Sequence, residues 1–238
     1  DALTIADPIK SLPYVLEAIG QIRRTLDGRV PLLGFAGAPF TLASYLVEGG
    51  NSKGYPAFRQ MLFGEPDQAN RLFSKLSRSI TALLTAQVEA GCQAVQIFDS
   101  WGGLLAPDDY RRLCLPHLQQ IMEDLRPLGV PRIMFGTGMS NSLEMLAETG
   151  ADVVGIAWRT SLTEARRRLG DGVALQGNLD PGHMFMPPEE LRRRVGEVLD
   201  DAGDGPGHIF NLGHGLLPPT PEENVARLIE YVHAVTAA

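Results

Sequence analysis

The sequence predicts an α/β fold of the (β/α)8, TIM-type barrel class, with six of the eight strands represented. Short apolar segments that contain β-branched residues alternate along the chain with longer amphipathic segments. This alternation is typical of strand–helix units and a parallel sheet, in a barrel or in a doubly wound arrangement. No linker rich in Pro or Ser and no block of like charges interrupts it, so residues 1–238 are expected to form a single barrel domain.

Six segments have the length and composition of buried parallel strands. Each is short, aliphatic and followed by a turn rich in Gly or polar residues. In chain order they are Val30–Ala36, Ala94–Phe98, Arg132–Phe135, Val153–Ala157, Val173–Gln176 and Ile209–Leu212.

The helices are predicted from apolar residues that recur every three to four positions. The first is Pro13–Leu26, with Gly28 just beyond its end, and the longest is Pro66–Ala90, which stops at Gly91. Extra helical material between Thr41 and Met61 lengthens one crossover. Five more helices complete the set: Pro107–Leu125, Asn141–Thr149, Ser161–Leu169, Pro188–Ala202 and Pro221–Val235.

Composition excludes several classes of protein. The chain has 21 Lys and Arg against 28 Asp and Glu, a net charge of −7, which argues against a general nucleic-acid binder but not against an anionic substrate. Cys92 and Cys114 are too few for a disulfide framework or a thiolate metal site, and they are expected to be buried, inert thiols. No apolar run approaches the roughly 18 residues of a membrane span, so a soluble, cytoplasmic protein with no membrane partner is expected.

Candidate functional groups follow the predicted strands, because active sites of barrels lie at the carboxyl ends of the strands. His214, between Gly213 and Gly215, is the best single candidate among the five histidines. Asp99 and Asp180 could be acid–base residues or could hold neighbouring loops by hydrogen bonds. Glycines after strands often serve only to turn the chain, and Gly136-x-Gly138 lacks the third Gly of a dinucleotide-binding fingerprint.

Several of these strand-end motifs, in the same order, closely resemble the uroporphyrinogen decarboxylase family. They are Gly34–Leu42 followed by Tyr45 and Glu48–Gly50, then Phe98–Ser100, Gln176–Pro181 and Asn211–Gly215. The resemblance implies a cytoplasmic, cofactor-free homodimer with a (β/α) barrel and no metal. It implies removal of CO2 from the four acetate side chains of uroporphyrinogen III, which gives coproporphyrinogen III in haem biosynthesis.

The resemblance also implies which residues bind the tetrapyrrole substrate. Tyr45, Ser100 and His214 match substrate-contacting hydroxyls and an imidazole, and each can hydrogen-bond a carboxylate. Phe35 and Phe98 match aromatic positions that line the cleft, although both could also be ordinary core residues.

The sequence departs from the family in three respects. It begins at Asp1, where the family's third strand–helix unit is approached, so it corresponds to about the C-terminal two thirds of the family fold. The family's two substrate-binding arginines and its catalytic aspartate belong to the segment before that point, so no catalytic residue is assigned here. Ala157 stands where an Asp commonly precedes Trp158, and Asn51 replaces a frequent Gly.

Two alternatives remain at this point. Zinc-dependent corrinoid methyltransferases share this fold, but they need His and Cys residues as zinc ligands. The stretch Phe135–Gly138 has neither residue, and no Cys follows Cys114. The second alternative is a catalytically impaired, tetrapyrrole-binding homologue.

Overall fold

The computed structural model describes residues 3–203, 205 and 207–236. The chain forms two compact units, an N-terminal unit, Asp1–Asp152, and a C-terminal unit, Val153–Ala238. Each unit builds its own set of parallel strands with helices between them. The α/β class predicted from the alternation is therefore confirmed, while the single-domain organisation stays a prediction.

The N-terminal unit contains three parallel strands. They are β1 (Leu33–Gly37), β2 (Ala94–Asp99) and β3 (Arg132–Gly136). Leu33 pairs with Ala94, and Val95 pairs with Arg132. The helices of this unit are α1 (Pro8–Ser11), α2 (Pro13–Leu26), α3 (Pro39–Glu48), α4 (Pro56–Gly64), α5 (Pro66–Glu89), α6 (Pro107–Leu113), α7 (Leu115–Leu125) and α8 (Leu143–Glu148).

Two of the helix predictions for this unit had different outcomes. The extra helical material between Thr41 and Met61 is confirmed, since α3 and α4 occupy it. A continuous helix over Pro107–Leu125 was a wrong prediction, because the chain breaks at Cys114 into α6 and α7. Pro116 has no N–H to donate to the carbonyl four residues earlier, and its ring would clash with that carbonyl.

The C-terminal unit also contains three parallel strands, β4 (Val153–Gly155), β5 (Ala174–Leu179) and β6 (His208–Leu212). Its helices are α9 (Leu162–Leu169), α10 (Pro188–Ala202) and α11 (Glu222–Thr236). Strand β5 runs three residues further than the predicted Val173–Gln176, so Gly177 and Asn178 belong to the strand. The core between β5, α10 and α11 is formed by Leu179, Met184, Leu191, Val195 and Leu228.

Two early elements of the described chain, α2 and β1, are less buried than the predicted pattern suggests. Leu33 and Phe35 of β1 are 41% and 64% exposed, so their side chains lie outside the packed core of the N-terminal unit. Helix α2 has the predicted bounds and the predicted amphipathic character, yet none of its described residues is buried. Periodicity therefore located α2 correctly, whereas the depth of its burial was set by what packs against it.

One largely buried cation is fixed by an ion pair at the start of β3. The Arg132 side chain is 8% exposed, and its Nε and Nη2 donate to the two carboxylate oxygens of Asp152 at 2.9 and 2.8 Å. A third donor, Nη1, reaches the carbonyl oxygen of Met122 at 2.5 Å. Burial disfavours the charged form of Asp152, but hydrogen bonds and the positive charge of Arg132 outweigh it and hold the pKa of that carboxyl below its usual value.

We expect Asp152→Asn to lower the free energy of unfolding by about 1–2 kcal/mol at pH 7, because Arg132 loses its countercharge. The figure is kept modest because Asp152 is 45% exposed and solvent screens the pair. A carboxyl whose pKa is depressed by folding stabilises the protein above about pH 4 and loses that contribution as the pH falls through the folded-state pKa. Urea unfolding of both proteins at pH 7 and at pH 3 measures the difference.

The matched control is Asp171→Asn. That carboxylate lies 4.0 Å from Arg166 and is 88% exposed, so its loss should change the free energy of unfolding by less than about 0.5 kcal/mol. An equal effect of both substitutions at pH 7 would show that the Arg132–Asp152 pair contributes nothing beyond an exposed contact.

Candidate active site

A fully buried carboxylate, Asp99, ends strand β2. Its Oδ1 accepts a hydrogen bond from the Thr41 hydroxyl at 2.7 Å, and its Oδ2 accepts one from the Tyr110 hydroxyl at 2.8 Å. The backbone N–H groups of Gly102 and Trp101 also point at this carboxylate. Asp99 therefore joins the end of β2 to α3 and α6 through its own hydrogen bonds.

Burial governs the protonation of this cluster. It raises the pKa of Asp99, against the opposing effect of the hydrogen bonds from Thr41 and Tyr110. It also raises the pKa of Tyr110 well above its ordinary value, with the charge of Asp99 acting in the same direction. Of the two roles open to Asp99, the loop-holding one agrees with this geometry, because both carboxylate oxygens already accept hydrogen bonds from inside the protein.

Tyr45 lies beside this cluster on α3. Its hydroxyl oxygen accepts a hydrogen bond from Nε1 of Trp101 at 2.9 Å. The ring of Tyr55 packs against both neighbours, with centroids 6.0 Å from Tyr45 and 5.1 Å from Trp101. Tyr45 is partly exposed, whereas Tyr55 is buried beneath it.

The phenylalanines of the strands form a ladder. Phe35 of β1 and Phe98 of β2 meet edge to face with centroids 5.9 Å apart, and Phe98 meets Phe135 of β3 at 6.0 Å. Ser100 follows Asp99 and is partly buried. Phe35 is largely exposed among the described residues, so the ladder presents apolar surface beside the strand that precedes Ser100.

In the C-terminal unit, His214 follows β6 and is exposed. Its ring meets the edge of Trp158 with centroids 6.1 Å apart and an interplanar angle of 84°. The guanidinium of Arg159 stacks over the same indole, 4.1 Å from its centroid. A row of imidazole, indole and guanidinium therefore lies at the carboxyl ends of β4 and β6, with two groups able to bind anions.

Gly213 allows this close approach. A Cβ built there would lie 2.4 Å from the backbone nitrogen of Trp158 and 2.9 Å from its Cα. The Gly213 N–H donates to the carbonyl of Leu179 at 2.8 Å, which fixes the turn after β6. The glycine beside His214 is thus required by backbone contact, beyond a general need to turn the chain.

A groove of about 340 Å³ runs along the β4–α9 connection and is lined by Trp158 and Arg159. Asn178 supports its wall by donating to the carbonyl oxygens of Ala157 and Thr160 at 3.3 and 2.5 Å. Ala157 therefore contributes its backbone carbonyl to this network. Asp180 accepts a hydrogen bond from the Gly182 N–H at 2.8 Å, in agreement with a loop-holding role.

The structure places four predicted site residues in the N-terminal unit and His214 in the C-terminal unit. Phe35 lies within β1, Phe98 and Ser100 lie at the end of β2, Tyr45 lies on α3, and His214 follows β6. Sequence reasoning did not single out Thr41, Trp101 or Tyr110, nor the Arg159 that follows Trp158. Trp101 and Arg159 lie two and four residues beyond the ends of β2 and β4, and that position could have identified them. The role of Thr41 follows only from its contact with Asp99, 58 positions later in the chain.

The remaining predictions concern cysteines, metals and membranes. Cys92 and Cys114 are buried, as predicted, and burial raises the pKa of both thiols. Among the described residues, no group of three or more His, Cys, Asp and Glu side chains has a geometry that could hold a metal ion. None of the helices within the described ranges is both long enough and apolar enough to cross a membrane.

Comparison with known proteins identifies the family. The family model described as "Uroporphyrinogen decarboxylase (URO-D)" matches residues 1–235. The uroporphyrinogen decarboxylase of Myxococcus xanthus is 52% identical over 233 residues, which cover 98% of this chain and 67% of that protein. The chain belongs to the uroporphyrinogen decarboxylase family. It spans about two thirds of the length of its curated relatives, including 69% of the 47% identical decarboxylase of Syntrophotalea carbinolica.

Solved structures agree on the fold of this family member. A methyltransferase from Methanosarcina mazei superposes with a TM-score of 0.82 over 97% of this chain and 67% of that chain, at 24% identity. A B12-independent methionine synthase from Shewanella gives a TM-score of 0.61 at 10% identity, over 93% of this chain and 66% of that chain. At these identities the likeness concerns the fold alone. The predicted family and the TIM-type barrel class are both confirmed.

Proposed function

We propose that this chain belongs to a uroporphyrinogen decarboxylase that converts uroporphyrinogen III to coproporphyrinogen III by decarboxylating its four acetate side chains. The observation that carries the proposal is the 52% identity to the Myxococcus xanthus decarboxylase over 98% of the chain. The methyltransferase of the same fold is less than half as similar, at 24% identity.

The chemistry needs no cofactor when the substrate itself accepts the electrons. A proton added to the pyrrole α-carbon beside the carbon that bears the acetate arm makes the ring a cation. The bond to the carboxylate then breaks, its electron pair neutralises the ring, and CO2 leaves. A proton added to the resulting exocyclic methylene carbon completes a methyl group, and loss of the first proton from the ring carbon restores the pyrrole. The protein must orient a macrocyclic polyanion and stabilise the transient positive charge.

The predicted binding residues suit both the carboxylates and the apolar ring system of such a substrate. The hydroxyls of Tyr45 and Ser100 can donate to carboxylates, and the exposed imidazole of His214 can donate and, when protonated, add positive charge. The ladder that contains Phe35 and Phe98 offers apolar surface to the macrocycle. A cytoplasmic homodimer is part of the proposal and rests on the family resemblance.

The direct test is an anaerobic assay of the complete gene product with uroporphyrinogen III, in the presence of a chelator and without added cofactor. We expect successive loss of CO2 and accumulation of coproporphyrinogen III. Both are measured by oxidising the products to porphyrins and separating these by chromatography. Binding of uroporphyrinogen without any loss of CO2 would instead support the impaired homologue. Sedimentation of the same sample tests the homodimer.

We expect His214→Ala to lower kcat/KM for uroporphyrinogen by about tenfold or more, which corresponds to about 1.4 kcal/mol of lost transition-state binding. The physical reason is the loss of a hydrogen-bonding, chargeable group at the end of β6. His233→Ala is the control, since His233 is exposed on α11, and it should retain the parent value. A parent-like kcat/KM for His214→Ala would assign His214 a structural role.

A further inference from the structure

The hydrogen bonds of Thr41 connect three parts of the N-terminal unit. Its hydroxyl donates to Asp99 at 2.7 Å and accepts from the backbone N–H of Trp101 at 3.3 Å. Thr41 is 3% exposed and Asp99 is fully buried, so water does not compete for these bonds. A single hydroxyl therefore fixes both the end of β2 and the backbone two residues further on.

A second link joins the same two segments. Thr41 and Tyr45 are four residues apart on α3, so they lie on one face of the helix about one turn from each other. Thr41 holds the backbone of Trp101, and Tyr45 holds its indole through the 2.9 Å hydrogen bond from Nε1. Helix α3 and the turn after β2 are thus clamped at two points, and Ser100 lies in that turn between Asp99 and Trp101.

The turn after β2 is also packed tightly against Asp99 and Tyr110. A Cβ at Gly102 would lie 2.9 Å from Oδ2 of Asp99 and 2.8 Å from the ring of Tyr110. The Tyr110 hydroxyl donates to this Oδ2, while Thr41 donates to Oδ1, and Tyr110 itself is fully buried. The Asp99 carboxylate is therefore held from both sides, which makes it a firm anchor for the turn.

We propose that Thr41 and Asp99 are positioning residues that set the distance and orientation of the Tyr45 and Ser100 hydroxyls for the substrate carboxylates. This inference rests on the proposed function of the chain. Neither Thr41 nor Asp99 needs to touch the substrate, since both act through the turn and through Trp101. A merely structural role would change stability without changing the placement of Trp101 or the affinity for substrate.

The test compares Thr41→Val, which has nearly the shape of threonine but no hydroxyl, with Thr41→Ser, which keeps the hydroxyl. In the complete gene product, we expect Thr41→Val to lower kcat/KM for uroporphyrinogen by about fivefold or more, mainly through a higher KM, because binding contacts are misplaced. Thr41→Ser should restore kcat/KM to within about twofold of the parent. Tyr110→Phe, which removes another donor to Asp99, should act in the same direction if Thr41→Val fails to fold.

Fluorescence gives a readout that does not depend on catalysis. Residues 1–238 contain two tryptophans, so Trp158→Phe leaves Trp101 as the one indole reporter among them. Any tryptophan of the complete gene product outside this range is replaced by phenylalanine in every protein compared. In that background we expect Thr41→Val to shift the emission of Trp101 to longer wavelength and to increase its quenching by acrylamide. Thr41→Ser should leave both properties unchanged.

Ser77→Ala is the matched control. Ser77 is 6% exposed, and its hydroxyl donates to the carbonyl of Phe73 at 2.9 Å within α5, so its loss also removes a buried hydrogen bond. It should leave kcat/KM and Trp101 emission at parent values even if it lowers the melting temperature as much as Thr41→Val does.

Two results would overturn the proposal: unchanged Trp101 emission in Thr41→Val and Tyr110→Phe, or changed emission with kcat/KM within twofold of the parent. If the parent itself fails to decarboxylate uroporphyrinogen, the proposed function fails. The emission of Trp101 then still decides whether Thr41 holds the turn.

Discussion

Gly213→Ala is expected to lower kcat/KM for uroporphyrinogen by well over tenfold and to destabilise the fold by about 1–3 kcal/mol. The new Cβ would lie 2.4 Å from the backbone nitrogen of Trp158 and 2.8 Å from its Cβ. Backbone atoms cannot rotate away as a flexible side chain can, so the turn after β6 must move. That turn carries His214, and a displacement of about 1 Å can cost two orders of magnitude in rate.

Gly215→Ala is the matched control for this prediction. It lies on the other side of His214, and a Cβ there meets no atom within 4 Å. It should therefore retain kcat/KM and the urea midpoint of the parent. Steady-state kinetics and urea unfolding of the two variants provide the comparison. Equal behaviour of both would show that the turn after β6 accommodates a side chain and that Gly213 has no special role.

Much of the fold followed from patterns that act over short distances. Alternating apolar strands and amphipathic helices predicted parallel strands, and Pro13 at the first helical position with Gly28 after the last gave the bounds of α2. The break between α6 and α7 was missed because the apolar period continues across Cys114. The local signal against a continuous helix was Pro116, which cannot donate the helical hydrogen bond at its position even though the apolar pattern continues.

The site could be located from sequence more readily than its internal roles could be assigned. Parallel strands bring their carboxyl ends to one edge, so residues just after them were reasonable candidates. The role of Asp99, by contrast, depends on its complete burial and on Thr41, which lies 58 positions earlier. Strand-end position alone could not distinguish an acid–base residue from a carboxylate that is hydrogen-bonded by its own protein.

Aromatic residues show the same distinction. Phe35 and Phe98 both looked suitable for either a core or a cleft, because periodicity records that a residue is apolar but not what covers it. Phe35 is 64% exposed, and Phe98 is partly buried between Phe35 and Phe135. Burial is a property of tertiary packing, which the apolar pattern of a sequence does not record.

Phe58→Ala is expected to lower the free energy of unfolding by about 3–5 kcal/mol, the usual cost of removing a fully buried phenylalanine. Phe58 of α4 has no exposed surface. Its ring meets Phe40 of α3 at 5.2 Å and Phe73 of α5 at 6.2 Å, both in edge-to-face arrangements. Removing it opens a cavity among three helices and breaks both aromatic contacts, so the urea midpoint should fall markedly.

Phe63→Ala separates this packing effect from the loss of a phenylalanine as such. Phe63 lies on the same helix, α4, but is 46% exposed, so its removal should cost less than about 1 kcal/mol. Because Phe40 and Tyr45 share α3, Phe58→Ala should also loosen the support of Tyr45. We therefore expect increased acrylamide quenching of Trp101 in Phe58→Ala, measured with Trp158→Phe in both proteins, and unchanged quenching in Phe63→Ala. Equal unfolding midpoints for the two variants would mean that the contacts of Phe58 do not hold α3 and α5 together.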